Sequence, residues 1–124
     1  MPETILIVED EENIVVPLDF LLRRQGYEVL VACNGEDAID QIAKKKPDLL
    51  LLDIMLPGMD GYEVCEKIRL KPEWKDIKIV FLTAKGREVD IAKGMVLGAD
   101  EYIVKPFSNV EIIEKVKTLL KAES

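Results

Sequence analysis

Three carboxylates, a hydroxyl and an ammonium stand at the exits of short apolar runs in this chain of 124 residues. Ile5-Leu6-Ile7-Val8 leads into Glu9-Asp10, and Leu49-Leu50-Leu51-Leu52 leads into Asp53. Ile79-Val80-Phe81-Leu82 leads into Thr83, and Tyr102-Ile103-Val104 leads into Lys105-Pro106. Functional groups repeated at the ends of successive buried strands are how an open α/β sheet builds a site, because its crevice collects strand termini and helix N-termini. Carboxylates gathered there with a hydroxyl and an ammonium suit a divalent cation and a phosphoryl group. Taken singly, these residues have plainer readings. Glu9-Asp10 reads as a turn or cap, Thr83 as a capping hydroxyl, Lys105 as a solvated cation and Tyr102 as half-buried strand packing. Asp53 is harder to set aside, since a carboxylate ending a buried run needs a partner. The joint pattern of order and spacing outweighs the separate readings.

The elements that would position these groups are legible from the same runs. Apolar runs begin near residues 5, 29, 49, 79 and 102, spacings that suit strand-plus-helix units. Leu49 to Leu52 lacks β-branched residues, but its shortness and the flanking Pro47 and Pro57 favour a fully buried parallel strand over a helix. Asn34 with Asp37, Asp60 with Glu63 and Ser108 with Glu111 have the spacing of helix N-terminal caps. Gly26 is placed to close the first helix. Ile112, Ile113, Val116, Leu119 and Leu120 form one apolar stripe opposite Lys115, Lys117 and Lys121. Pro17 falls inside the first predicted helix, where it removes a donor and predicts a distorted first turn rather than a late start. Strand-helix alternation implies right-handed crossovers and a parallel sheet covered on both faces, an α/β domain.

Composition bounds the function. A net charge of −7 argues against a nucleic-acid surface, which needs a clustered basic face. No apolar run reaches the roughly 20 residues of a membrane span, and the N-terminus lacks a signal peptide's regions, so a cytoplasmic protein is expected. Cys33 and Cys65 lack metal-ligand spacing and read as reduced thiols, Cys65 as inert core. The chain has no histidine, which excludes imidazole catalysis and histidine-held metals. Trp74 reads as a packing anchor for the loop after the third helix.

Together, Glu9-Asp10, Asp53, Thr83 and Lys105-Pro106 resemble the receiver domain of two-component response regulators. The segment Asp53-Ile54-Met55-Leu56-Pro57-Gly58-Met59-Asp60-Gly61 is similar to that family's phosphorylation loop almost letter for letter. The resemblance runs from about Thr4 to Leu120. It implies one receiver domain over residues 1–124, core about 4–122, with no effector domain in this chain. The implied fold is flavodoxin-like: one doubly wound five-stranded parallel sheet of order 2-1-3-4-5 with five helices, which puts Asp10 and Asp53 side by side. The resemblance further implies that Asp53 accepts a phosphoryl group from a kinase phosphohistidine. Asp10, Asp53 and the backbone carbonyl of Met55 would hold Mg²⁺, with Glu9 acting through water and Mn²⁺ as a substitute metal. Lys105 would pair with Asp53 and then with the phosphoryl group, turned in by a cis peptide at Pro106. Thr83 and Tyr102 would form the switch, Thr83 also donating to the phosphoryl group. Met55 and Lys85 would tune water access, leaving self-dephosphorylation slow.

Rival readings fit less well. A haloacid-dehalogenase-type phosphohydrolase needs a second Asp two residues after its nucleophile, where this chain has Met55. A nucleotide-binding module needs a glycine-rich loop after the first strand, where this chain has Glu9-Asp10. A pseudo-receiver that only binds partners would lack a site residue, and none is missing. The implied partner is a histidine kinase or phosphotransfer protein. It would dock near the first helix, whose Ile14, Val15, Val16, Leu18, Phe20, Leu21 and Leu22 exceed one core stripe, so that part of the set should stay exposed. Output would pass through the fourth helix, fifth strand and fifth helix. There Lys93, Asp100, Glu101, Lys117 and Lys121 carry both signs of charge, which suits a homodimer formed on phosphorylation.

Overall fold

The structure is a computed structural model that describes residues 2–83 and 88–121. Five parallel strands form one sheet in the order β2-β1-β3-β4-β5: β1 (Thr4–Val8), β2 (Glu28–Ala32), β3 (Leu49–Asp53), β4 (Lys78–Thr83) and β5 (Glu101–Val104). The connecting helices are α1 (Glu12–Arg24), α2 (Gly35–Lys44), α3 (Gly61–Arg69), α4 (Glu88–Leu97) and α5 (Asn109–Lys121). Class, strand order and helix set are those expected. A short 3-10 turn, Pro72–Trp74, follows α3 and buries Trp74.

Alternation along the strands divides the core in two. Leu6, Val8, Leu50, Leu52, Ile79 and Phe81 face α2, α3 and α4. Ile5, Ile7, Leu49, Leu51, Val80 and Leu82 face α1 and α5. Every residue of β1 and β3 is buried, which is why both read as unbroken apolar runs.

The helix ends follow their sequence signals. Asn34 accepts from the amide of Asp37 at 2.8 Å, Asp60 from that of Glu63 at 2.9 Å, and Ser108 from that of Glu111 at 3.1 Å. Gly26 ends α1 at φ +95°, a conformation that a side chain would strain. Its amide donates to Arg23 and that of Tyr27 to Leu22, the paired bonds of a Schellman close. Pro17 neither delays nor breaks α1, which begins at Glu12. Ahead of it, the amides of Ile14 and Val15 share the carbonyl of Glu11, both at 3.0 Å.

Candidate functional site

Parallel register gathers the predicted residues at one edge. Val8 pairs with Leu52, Asp53 with Leu82 and Thr83 with Val104, so the residues that end or follow these strands share the carboxyl end of the sheet. Glu9, Asp10 and Asp53 each place a carboxylate oxygen within 4.8 Å of the others. Lys105 sends its Nζ to Glu9 Oε1 at 3.1 Å and to Asp53 Oδ1 at 3.3 Å. The Lys105-Pro106 peptide is cis, as expected. Asp53 and Thr83 are buried, and Tyr102 is half-buried on the neighbouring strand.

The β3–α3 loop is held tightly. Asp53 Oδ1 accepts from the amide of Met55 at 3.3 Å, and the amide of Gly61 donates to the carbonyl of Ile54 at 2.9 Å. A Cβ at Gly61 would stand 2.4 Å from the carbonyl oxygen of Asp53, so the start of α3 can lie this close only as glycine. Met55 is largely exposed beside the site. Lys85 lies outside the described residues.

Glu9 and Asp10 differ in a way that adjacency in sequence hides. Asp10 is exposed, whereas Glu9 has no exposed surface. Glu9 Oε2 accepts from the amides of Asp10 at 3.1 Å and Glu11 at 3.4 Å, where α1 begins, while Oε1 holds Lys105. Burial, then the neighbouring Asp53 carboxyl, pushes Glu9 up to about 7, and Lys105 offsets only part of this. Lys105 itself is held above its ordinary value: burial works against the cation, but its bonds to Glu9 and the field of Asp53 outweigh it. A sequence reading that gives Glu9 a role mainly through water misses this anchoring of Lys105.

The three clustered groups are all carboxylates, an oxygen donor set that suits Mg²⁺ better than Zn²⁺. Among the described residues, the arrangement is an acidic, partly sealed cleft with the Lys105 cation fixed in it and the Thr83 hydroxyl at the adjoining strand end. The family model of the response regulator receiver domain matches residues 5–117. The chain belongs to that family. Receiver domains are phosphorylation-dependent signalling switches, not generally classed as enzymes, and they bind Mg²⁺ in this acidic site.

Solved receiver structures agree. A protein from Chloroflexus aurantiacus J-10-fl described as a response regulator is 41% identical, with TM-score 0.94 over 98% of this chain and 99% of that one. The chemotaxis protein CheY4 of Vibrio cholerae is 26% identical, with TM-score 0.90 over 96% and 99%. The receiver domain of a sensor histidine kinase from Pseudomonas aeruginosa PAO1 is 27% identical, with TM-score 0.89 over 98% and 99%. That structure holds a magnesium ion in its active-site cleft.

Among the other expectations, the excess apolar surface of α1 is present. Val16 and Phe20 are each 63% exposed, while Leu18 and Leu22 are buried. Cys65 is buried, with its thiol pushed up to about 11, chiefly by burial. The mixed charges near α4, β5 and α5 are largely engaged within the chain. Asp100 pairs with Arg69 at 2.9 Å, Glu101 with Lys115 at 3.4 Å, and Lys93 lies over the ring of Tyr62. No described helix is long and apolar enough to cross a membrane.

Proposed function

We propose that this receiver domain takes a phosphoryl group from a histidine kinase or phosphotransfer protein onto Asp53, with Mg²⁺ bound. The observation that carries the reading is the meeting of Glu9, Asp10 and Asp53 carboxylates with Lys105 against Asp53. An Asp53 oxygen attacks phosphorus, the phosphorus–nitrogen bond to the donor imidazole breaks, and the phosphoryl group becomes an aspartyl phosphate. Asp10, Asp53 and the carbonyl of Met55 would hold the metal, with Glu9 acting through water and by anchoring Lys105; Mn²⁺ would serve in the same donor set. A divalent cation bound there would offset repulsion between the attacking carboxylate and the phosphoryl oxygens.

The chain's own groups do the rest. Lys105 supplies a fixed positive charge and moves from Asp53 to a phosphoryl oxygen. Thr83, buried at the end of β4, donates its hydroxyl to another. The product adds about −1.5 to −2 charges at neutral pH, and drawing Thr83 inward frees space for Tyr102. That shift alters the surface of α4, β5 and α5. The exposed Val16 and Phe20 on α1 suit an apolar kinase surface. No described side chain is placed as a general base for water, so self-dephosphorylation is slow, with exposed Met55 as a movable screen. Labelling with acetyl phosphate tests the assignment. Mg²⁺-dependent, acid-labile labelling is expected for the wild type and absent for Asp53→Asn, and undiminished labelling of the variant would overturn it.

A further inference from the structure

Phe81 lies two residues before Thr83 on β4, and two helices meet its ring. Tyr62, in the first turn of α3, approaches with ring centroids 5.5 Å apart and planes inclined at 59°, a tilted pairing that aromatic rings favour. From α4, Gly94 lies so close that a Cβ there would stand 2.7 Å from two carbons of the Phe81 ring. Lys93, beside Gly94, places its Nζ 4.4 Å from the centroid of the Tyr62 ring. Tyr62 is buried while Lys93 is exposed, so the cation covers a ring whose body is in the core. Tyr62 is also tied to the Asp53 strand end. Its neighbour Gly61 bonds to Ile54 and sits against the carbonyl of Asp53.

We propose that the Lys93–Tyr62 contact, with Gly94 seated on Phe81, is a clasp that holds α4 to the Asp53 strand end and opposes the change driven by phosphorylation. The inference rests on the reading of Asp53 as a phosphoacceptor whose phosphorylation alters the α4 surface, and none of these four residues holds the metal or the phosphoryl group in that reading. The clasp is made in an arrangement where Lys105 bridges Glu9 and Asp53. A phosphoryl group on Asp53 draws Lys105 and Thr83 to itself, and α4 lies next along the chain after Thr83. In this proposal α4 moves relative to α3, which parts the Lys93 ammonium from the Tyr62 ring. A contact present in one arrangement and lost in the other biases the equilibrium by its own free energy.

Removing the Lys93 charge should therefore tighten binding of a phosphoryl mimic, by about two- to five-fold for a contact of this kind. Simple electrostatics predicts the opposite sign, since deleting a cation weakens attraction for an anion. The experiment titrates beryllofluoride into the Mg²⁺-loaded domain and follows bound fluoride by ¹⁹F NMR. Lys93→Met keeps the side chain's stem and leaves the core untouched, and Lys117→Met, at an exposed position on α5, is the control for net charge. Lys93→Met should bind about two- to five-fold tighter than wild type, Lys117→Met no tighter, and Lys93→Met should add nothing in a Tyr62→Leu background. Equal or weaker binding by Lys93→Met overturns the clasp, as does the same gain without the Tyr62 ring. If Tyr62→Leu does not fold, the two lysine variants decide alone. A wild type that binds no beryllofluoride defeats the reading of Asp53 and the clasp with it, whereas unchanged affinity in Lys93→Met defeats the clasp alone.

Discussion

A carboxylate sealed from solvent beside another carboxylate is costly to ionise, and Glu9 is in that position, with its value pushed to about 7 from 4.5. The raised value means that the folded state favours the protonated form more than the unfolded state does. The associated stability is complete below the ordinary carboxylate value and is lost as pH rises through about 7. Metal-free protein should thus lose on the order of 1–3 kcal/mol between pH 5 and pH 8. Lys105, held above the ordinary lysine value, titrates outside this window. Denaturant unfolding at both pH values should show the loss in wild type and a flatter profile in Glu9→Gln, and parallel profiles would count against it. Glu9, Asp10, Asp53, Thr83 and Lys105 are each visible in the sequence as a strand-end polar group. What adjacency could not reveal is which of Glu9 and Asp10 turns inward, because that depends on where β1 ends and α1 begins in space.

Helix α4 is held close to β4 by the absence of a side chain at Gly94, against the ordinary preference of helices for alanine. Gly94→Ala gains helix propensity but must displace the Phe81 ring or the helix, so a net destabilisation of about 1–3 kcal/mol is expected. In a Phe81→Leu background, which lacks the ring, part of that loss should be recovered: Gly94→Ala should cost less, relative to Phe81→Leu alone, in the same denaturant titration. No recovery would mean that Phe81 is not the obstacle. Helix α1 makes the opposite case, apolar residues left outside the core. Val16→Ser with Phe20→Ser should change stability by no more than about 0.5 kcal/mol per site, leave acetyl phosphate labelling intact and slow transfer from the cognate kinase. Equal transfer rates would remove α1 from the docking surface. Helix starts were legible because their caps are local, as at Asn34, Asp60 and Ser108. The seating of Gly94 on Phe81 was not, because the two residues meet only after β4 and α4 fold back on each other.

At the scale of the whole molecule, a parallel sheet buried on both faces leaves its polar chemistry at the strand ends, and this chain concentrates acid there within an already acidic protein of net charge −7. The fold class could be inferred from one sequence because fully buried strands are short apolar runs, and their exits, marked by the first polar residue, gave the candidate site positions. The pairing of charges across the molecule was less accessible. Asp100 and Glu101 carry signs that suit a dimer surface, yet they are engaged by Arg69 and Lys115 of the same chain. The acidic cleft has one fixed cation among the described residues, Lys105, and it is shared by Glu9 and Asp53. A divalent cation should therefore stabilise the folded chain by mass action, by about 2.7 kcal/mol at a hundred-fold excess over its Kd. Screening of a net acidic surface by salt would also raise stability, so the comparison must be with NaCl at matched ionic strength. Wild type should melt several degrees higher in MgCl₂ than in matched NaCl, and Asp10→Asn should lose most of that difference while melting normally in NaCl. The margin should shrink at pH 5, where Glu9 is protonated and the cleft is less negative. A melting temperature that responds to Mg²⁺ and NaCl alike, in wild type and variant, would mean that these carboxylates are not held close enough to bind the ion.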